Sequence, residues 1–181
     1  MAVGTTLKSL QITNDDATPI VLNNSGVSGP YRNNLYSGYV TTGAANDAGT
    51  KYIMLRVKSD VKVKDVDIES AAQGASFAVD VGVWYADDVR YLSPGNALLA
   101  GTVISQAFFA SAVVLTNAVS ITNITNESGT YTIDKRGQPL WQAAGLAADP
   151  GGYFDVVVTT TAAGTGGALL GLRVSVAENN A

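Results

Sequence analysis

Hydrophobic and polar positions alternate with period two along most of this chain, and that period predicts strands. Phe77, Val79, Val81, Val83 and Tyr85 point one way, while Ala78, Asp80, Gly82 and Trp84 point the other. Tyr52 to Lys58 alternates too, with Ile53, Leu55 and Val57 inward and Arg56 and Lys58 outward. Val61 and Val63 share a face, but Val66 and Ile68 have the opposite parity. A one-residue slip near Lys64-Asp65 reconciles them and predicts a β-bulge. Phe154, Val156 and Val158 alternate with Asp155, Val157 and Thr159, so this strand is apolar on both faces and is expected to be central. A small-residue connection, Ala162 to Gly167, leads to Leu170, Leu172, Val174 and Val176 on one face, and two strands joined in this way predict a hairpin. Weaker strand candidates are Leu7–Thr13, Thr102–Gln106, Ala112–Leu115, Val119–Asn123 and Tyr131–Asp134. The best helix signal is Pro139 to Ala144, with Pro near the first turn and Gly145 as the stop.

About eight to ten short strands separated by turn signals predict an all-β fold, an antiparallel β-sandwich of jelly-roll-like type. An immunoglobulin domain fits less well, because its Cys-Trp-Cys pattern is missing. The stretch from Asn14 to Thr50 breaks the alternation. It is rich in Asn, Gly, Ser and Thr and carries Tyr31, Arg32, Tyr36 and Tyr39. The plain reading is a loose loop. The tyrosines favour an extended arm ordered by a neighbouring chain, since aromatic side chains supply contact area at low entropic cost. Those four residues are therefore the candidate partner contacts. The chain divides into residues 1–50, an N-terminal strand plus an irregular arm or loop, and residues 51–181, the sandwich domain.

Composition narrows the chemistry. Among 181 residues there is no His and no Cys, which removes Ser-His-Asp and Cys-His catalysis, imidazole or thiolate zinc sites and any disulfide framework. Eleven Lys+Arg against 15 Asp+Glu give a net charge of −4, which argues against binding a phosphate backbone. Charged residues make up 14% of the chain, against roughly 25% in a typical domain, so the surface is unusually neutral. A chain of this length buries about 70% of its unfolded surface and needs no covalent staple. No signal peptide is expected at the N-terminus, and no apolar run approaches the roughly 20 residues that span a bilayer, so no membrane partner is expected.

What chemistry remains rests on carboxylates and aromatics. Asp87-Asp88 follows a strand, where Asp commonly caps a turn, and Asp65, Asp67 and Glu69 lie on one strand face near Lys62 and Lys64. Paired carboxylates could run glycoside hydrolysis or hold calcium, but both groups read better as a turn and a solvated face. Ser59-Asp60-Val61-Lys62 matches the S-x-x-K pattern without its companion motifs. Gly164-Thr165-Gly166-Gly167 fails the dinucleotide fingerprint, and three Asn-x-Ser/Thr matches carry no weight without a secretory signal. Trp84, Tyr85, Tyr91 and Trp141 could form a sugar-stacking platform, although Trp is more often core or interface. No catalytic residue, cofactor or metal ligand is assigned.

The chain resembles the small jelly-roll decoration (cement) proteins and related virion structural proteins of tailed bacteriophages. The resemblance rests on Gly137-Gln138-Pro139-Leu140-Trp141, on Gly151 to Val158 and on Leu170 to Val176, and spans Lys51 to Val176. It implies a non-enzymatic virion protein, made in the host cytoplasm, that binds the outer capsid surface. Its partners would be the major capsid protein and itself, as a homotrimer at local threefold positions. The family has no active-site motif, so no functional residue is carried over. The alternative is a carbohydrate-binding or receptor-binding module of a phage tail or fibre.

Overall fold

A computed structural model describes residues 5–18, 33–43 and 47–178. Among these residues nine strands form two sheets. They are β1 (Thr6–Lys8), β2 (Asn33–Thr41), β3 (Lys51–Lys58), β4 (Lys62–Ser70), β5 (Ala78–Tyr85), β6 (Val103–Val114), β7 (Val119–Asn123), β8 (Tyr153–Ala162) and β9 (Leu169–Ala177). The first sheet runs β1-β3-β8-β5-β6 and the second β2-β9-β4-β7. All neighbours are antiparallel except β1 on β3. Leaving β1 aside, eight strands lie four to a sheet, and successive strands mostly alternate between sheets. This is the jelly-roll arrangement that the strand pattern predicts.

The sequence-level expectations meet this fold unevenly. The slip in β4 is present as a register shift between Val63 and Asp65, and it brings Val63, Val66 and Ile68 together in the core. β8 is the middle strand of its sheet, and its apolar residues on both faces are buried. The Pro139 helix forms as α2 (Leu140–Ala143), followed by Gly145 in the left-handed region at φ +85°. Three expectations are corrected. β8 and β9 are not a hairpin; they lie in different sheets, and the small-residue stretch crosses between them. Leu7–Thr13 is split into β1 and a helix, α1 (Leu10–Asp16), which Ser9 caps by accepting from the Ile12 N–H. Tyr131–Asp134 forms turns, with the Tyr131 ring plugged against Phe108 and Phe109 and its hydroxyl donating to the Val63 carbonyl at 2.6 Å.

The irregular reading of 14–50 also fails over residues 33–41. These form β2, paired with β9 along its whole length from Asn33↔Ala177 to Thr41↔Leu169. Gly38 allows β2 to close the sandwich beside β3, because a Cβ there would run into the Met54 carbonyl oxygen. Between the sheets, Val79, Val81 and Val83 meet Phe154, Val156 and Val158 and the β9 stripe Leu170, Leu172, Val174 and Val176. Each such side chain contributes about 1.5–3 kcal/mol of burial. Among the described residues no helix is long and apolar enough to cross a membrane.

Candidate partner-contact surface

The two sheets present different outer faces. That of the first sheet is covered at its middle strands, although a cleft of about 440 Å³ opens between Lys8, Lys51, Trp84 and Asp87 and the edge strand β6 leaves Val103 and Val114 exposed. β3 shifts register between Ile53 and Leu55, which turns Ile53 outward instead of inward. There Ile53 joins Trp84 and Val157 beneath Ile12 of α1 in a separate apolar cluster. Lys51 Nζ sits 3.9 Å from the centre of the Trp84 ring on this face.

Beside this cluster lies a buried ionic knot. Arg56, outward by parity, has a side chain only 2% exposed. Its Nε donates to Asp155 at 2.7 Å, Nη1 to Asp16 at 2.7 Å and Nη2 to Asp87 at 2.7 Å. Lys8 pairs with Asp16 and Asp87. The Arg56 guanidinium stacks 4.3 Å over Tyr91, whose hydroxyl donates to the Asp15 carbonyl. Burial pushes the Asp155 carboxyl up to about 6 against the opposing pull of Arg56. Burial also opposes the charge on Arg56, but its bonds to Asp155 and Asp16 outweigh this and raise its pKa. Asp16, desolvated yet bonded to Lys8 and Arg56, is held below the usual carboxylate range. The knot fastens β1 and the end of α1 to the sheet.

The outer face of the second sheet has no such cover among the described residues. Cross-strand register sets Tyr39, Gly171 and Glu69 in one row and Ser37, Arg173, Asp67 and Asn123 in the next. Apolar side chains stand exposed here: Leu35 at 58%, Tyr39 at 52%, Ile121 at 52% and Leu169 at 55%. A shallow cleft of about 500 Å³ opens between Tyr39, Glu69, Val119 and Leu169 over Gly171. The Asn123 side chain donates to Asp65 and Asp67, and Arg173 lies 3.5 Å from Asp67. Glu69 has no ion pair among the described residues.

The four candidate contact residues separate. Tyr31 and Arg32 lie outside the described residues. Tyr36 turns inward and packs against the core, where burial raises its pKa. Tyr39, three residues on, has the opposite parity and stands exposed on the open face. The proposed sugar-stacking residues form no exposed platform. Trp84 is 7% exposed under α1, and Tyr85 packs edge-on against Phe154, so the two reach the cleft beside Lys51 and Asp87 only by their edges. Tyr91 lies between Tyr153 and Arg56, and Trp141 packs on the core. Asp88 caps a turn by accepting from the Arg90 N–H, while Asp87 belongs to the ionic knot. Buried Ser59 donates to Asp149. Among the described residues no group of His, Cys, Asp and Glu could hold a metal ion.

Sequence reasoning missed the ionic knot and the exposure of Leu35 and Leu169. Strand parity assigns a side chain to a face, but does not say whether that face is covered. One signal was available: Arg56 and Asp155 carry opposite charges within the apolar stretches 53–57 and 154–158.

No family model matches the chain, and no curated protein matches it. Among solved structures it is similar to a chain of the capsid of Ralstonia phage GP4, with 15% sequence identity and a TM-score of 0.62. The match covers 98% of this chain and 100% of that one. At this identity the likeness is one of fold, and it extends over nearly the full length of both chains.

Proposed function

We propose that the chain is a non-enzymatic structural protein of a phage virion that binds the outer capsid surface and stabilises it, as decoration (cement) proteins do. The observation that carries this reading is the jelly-roll likeness to a chain of the Ralstonia phage GP4 capsid over nearly the whole of both molecules. The open face of the second sheet supports it, because Leu35, Tyr39, Ile121 and Leu169 stand exposed there among polar and charged neighbours, the mixed make-up of a protein-contact surface. On this reading the partner is the major capsid protein, and the copies associate as trimers at local threefold positions. Multivalent attachment would let modest single contacts sum to strong binding.

The test adds purified protein to empty, expanded capsids of the parent phage that lack it. Binding is followed by co-sedimentation and the rupture temperature by thermal scanning. The protein should bind saturably and raise the rupture temperature. Capsids that take up none and rupture at the same temperature would remove the proposal, and saturable binding on a glycan array would favour the receptor-binding alternative.

A further inference from the structure

We propose that the cleft over Gly171 receives a lysine or arginine side chain of the capsid partner, carried on a segment whose apolar residues lie on the surrounding face. This inference rests on the reading of the chain as a capsid-surface protein and names the chemistry of what the open sheet binds.

The argument begins with Glu69. It projects from β4 onto the outer face, in one row with Gly171 of β9 and Tyr39 of β2. Gly171 has no side chain, and the Glu69 side chain leans across it. A Cβ on Gly171 would stand 2.9 Å from the Glu69 Cγ and 3.1 Å from its Oε1. The carboxylate therefore reaches the cleft floor, with the Tyr39 ring on the far side of one strand and Leu169 and Val119 on the rim. Asp65 and Asp67 are engaged with Asn123 and Arg173, whereas Glu69 carries no ion pair among the described residues.

These neighbours select one class of occupant. A wholly apolar side chain would bury the Glu69 carboxylate without a partner, which is costly. An acidic one would be repelled. A basic side chain satisfies both parts of the cleft: its methylene stem lies along Leu169 and Val119, and its charged head meets Glu69 beside an aromatic face. Tyr39 supplies apolar contact at the cleft itself, and Leu35, four residues farther along β2 opposite Ser175, and Ile121 on β7 offer it to the flanking parts of the segment.

The test measures binding of wild type, Glu69→Gln, Glu69→Lys and Tyr39→Ala to empty expanded capsids of the parent phage over a range of salt concentrations. Leu98→Ala serves as control, because Leu98 is 95% exposed and lies in the β5–β6 connection of the other sheet. Glu69→Lys should weaken binding roughly tenfold or more. Glu69→Gln and Tyr39→Ala should each weaken it several-fold, and Glu69→Gln should also flatten the salt dependence. Leu98→Ala should bind as wild type. If wild type binds and Glu69→Gln matches it in affinity and salt slope, the inference fails while the proposed function stands. That holds even if Glu69→Lys is weak, since the new charge alone would explain the loss. If Glu69→Lys does not fold, the near-isosteric Glu69→Gln decides alone. If wild type does not bind, the proposed function falls and this inference falls with it.

Discussion

Arg56 donates to three carboxylates, and its replacement leaves Asp16 and Asp87 with Lys8, and buried Asp155 with the Asp87 backbone N–H but no cation. Breaking a buried pair from one side costs about 3–5 kcal/mol, because the partner's charge stays behind. Arg56→Met should therefore lower stability by about that amount, and adding Asp155→Leu should recover much of it. Urea unfolding of the two single variants and the double variant checks this, and strict additivity would show that the two groups are not coupled. The pH dependence follows from the same residues. The folded-state pKa of Asp155 is raised to about 6, so its contribution is fully present below about pH 4 and is lost as pH rises through 6. Asp16 and Asp88 are shifted down, so their contributions are present above about pH 4 and are lost on further acidification. The Tm should thus rise as pH falls from 7.5 to 5 and drop below about pH 4. Asp155→Asn should remove the rise and keep the drop. A wild-type Tm that declines steadily from pH 7.5 to 5 contradicts this account.

At the scale of elements, strand alternation made most of the jelly roll legible. β4 with its slip, β5, β8 and β9 all follow from residues whose neighbours in sequence also settle their face, whereas β7 follows as a strand but turns its apolar Ile121 outward. Three of the parts that did not follow have a clear physical reason. α1 contains Thr13, Asn14, Asp15 and Asp16, which are poor helix formers, and depends on the Ser9 cap and on Ile12 packing over Trp84. The β8–β9 connection contains the small residues of a hairpin loop, and only the partners of the two strands show that they belong to different sheets. β2 reads as irregular because its inward positions include Gly38, whose role is to have no side chain beside Met54. The backbone oxygen it faces cannot rotate away, so Gly38→Ala should cost about 1–3 kcal/mol. Gly171→Ala meets only the movable Glu69 side chain and should change stability by about 0.5 kcal/mol or less. Urea midpoints compare the two directly, and equal losses would show that close approach to β3 is not what Gly38 provides.

At the scale of the whole molecule, the sandwich is one-sided. α1 and the ionic knot cover the middle of one outer face, leaving Val103 and Val114 exposed at its β6 edge, while the other presents Leu35, Tyr39, Ile121 and Leu169 to solvent among the described residues. The candidate contact residue Tyr39 was legible as an aromatic in a polar stretch. Its separation from Tyr36 came only with the strand, which sends residues three apart to opposite faces. On the proposed function, one-sidedness predicts which face meets the capsid. If the second sheet docks, hydroxyl-radical labelling of capsid-bound protein should show Leu35, Tyr39 and Leu169 protected relative to free protein. Val89, Leu98 and Ile133, exposed on loops elsewhere, should be labelled equally in both states. Protection of the loop residues with continued labelling of Leu35 and Tyr39 would place the contact at the loop ends and leave the open sheet facing solvent. Protection of both sets would mean that neighbouring copies cover the loops while the sheet meets the capsid, and the trimer would then be sought through those loops. Each pattern is read from the same digest, so one experiment fixes both the docking face and whether copies touch one another on the particle.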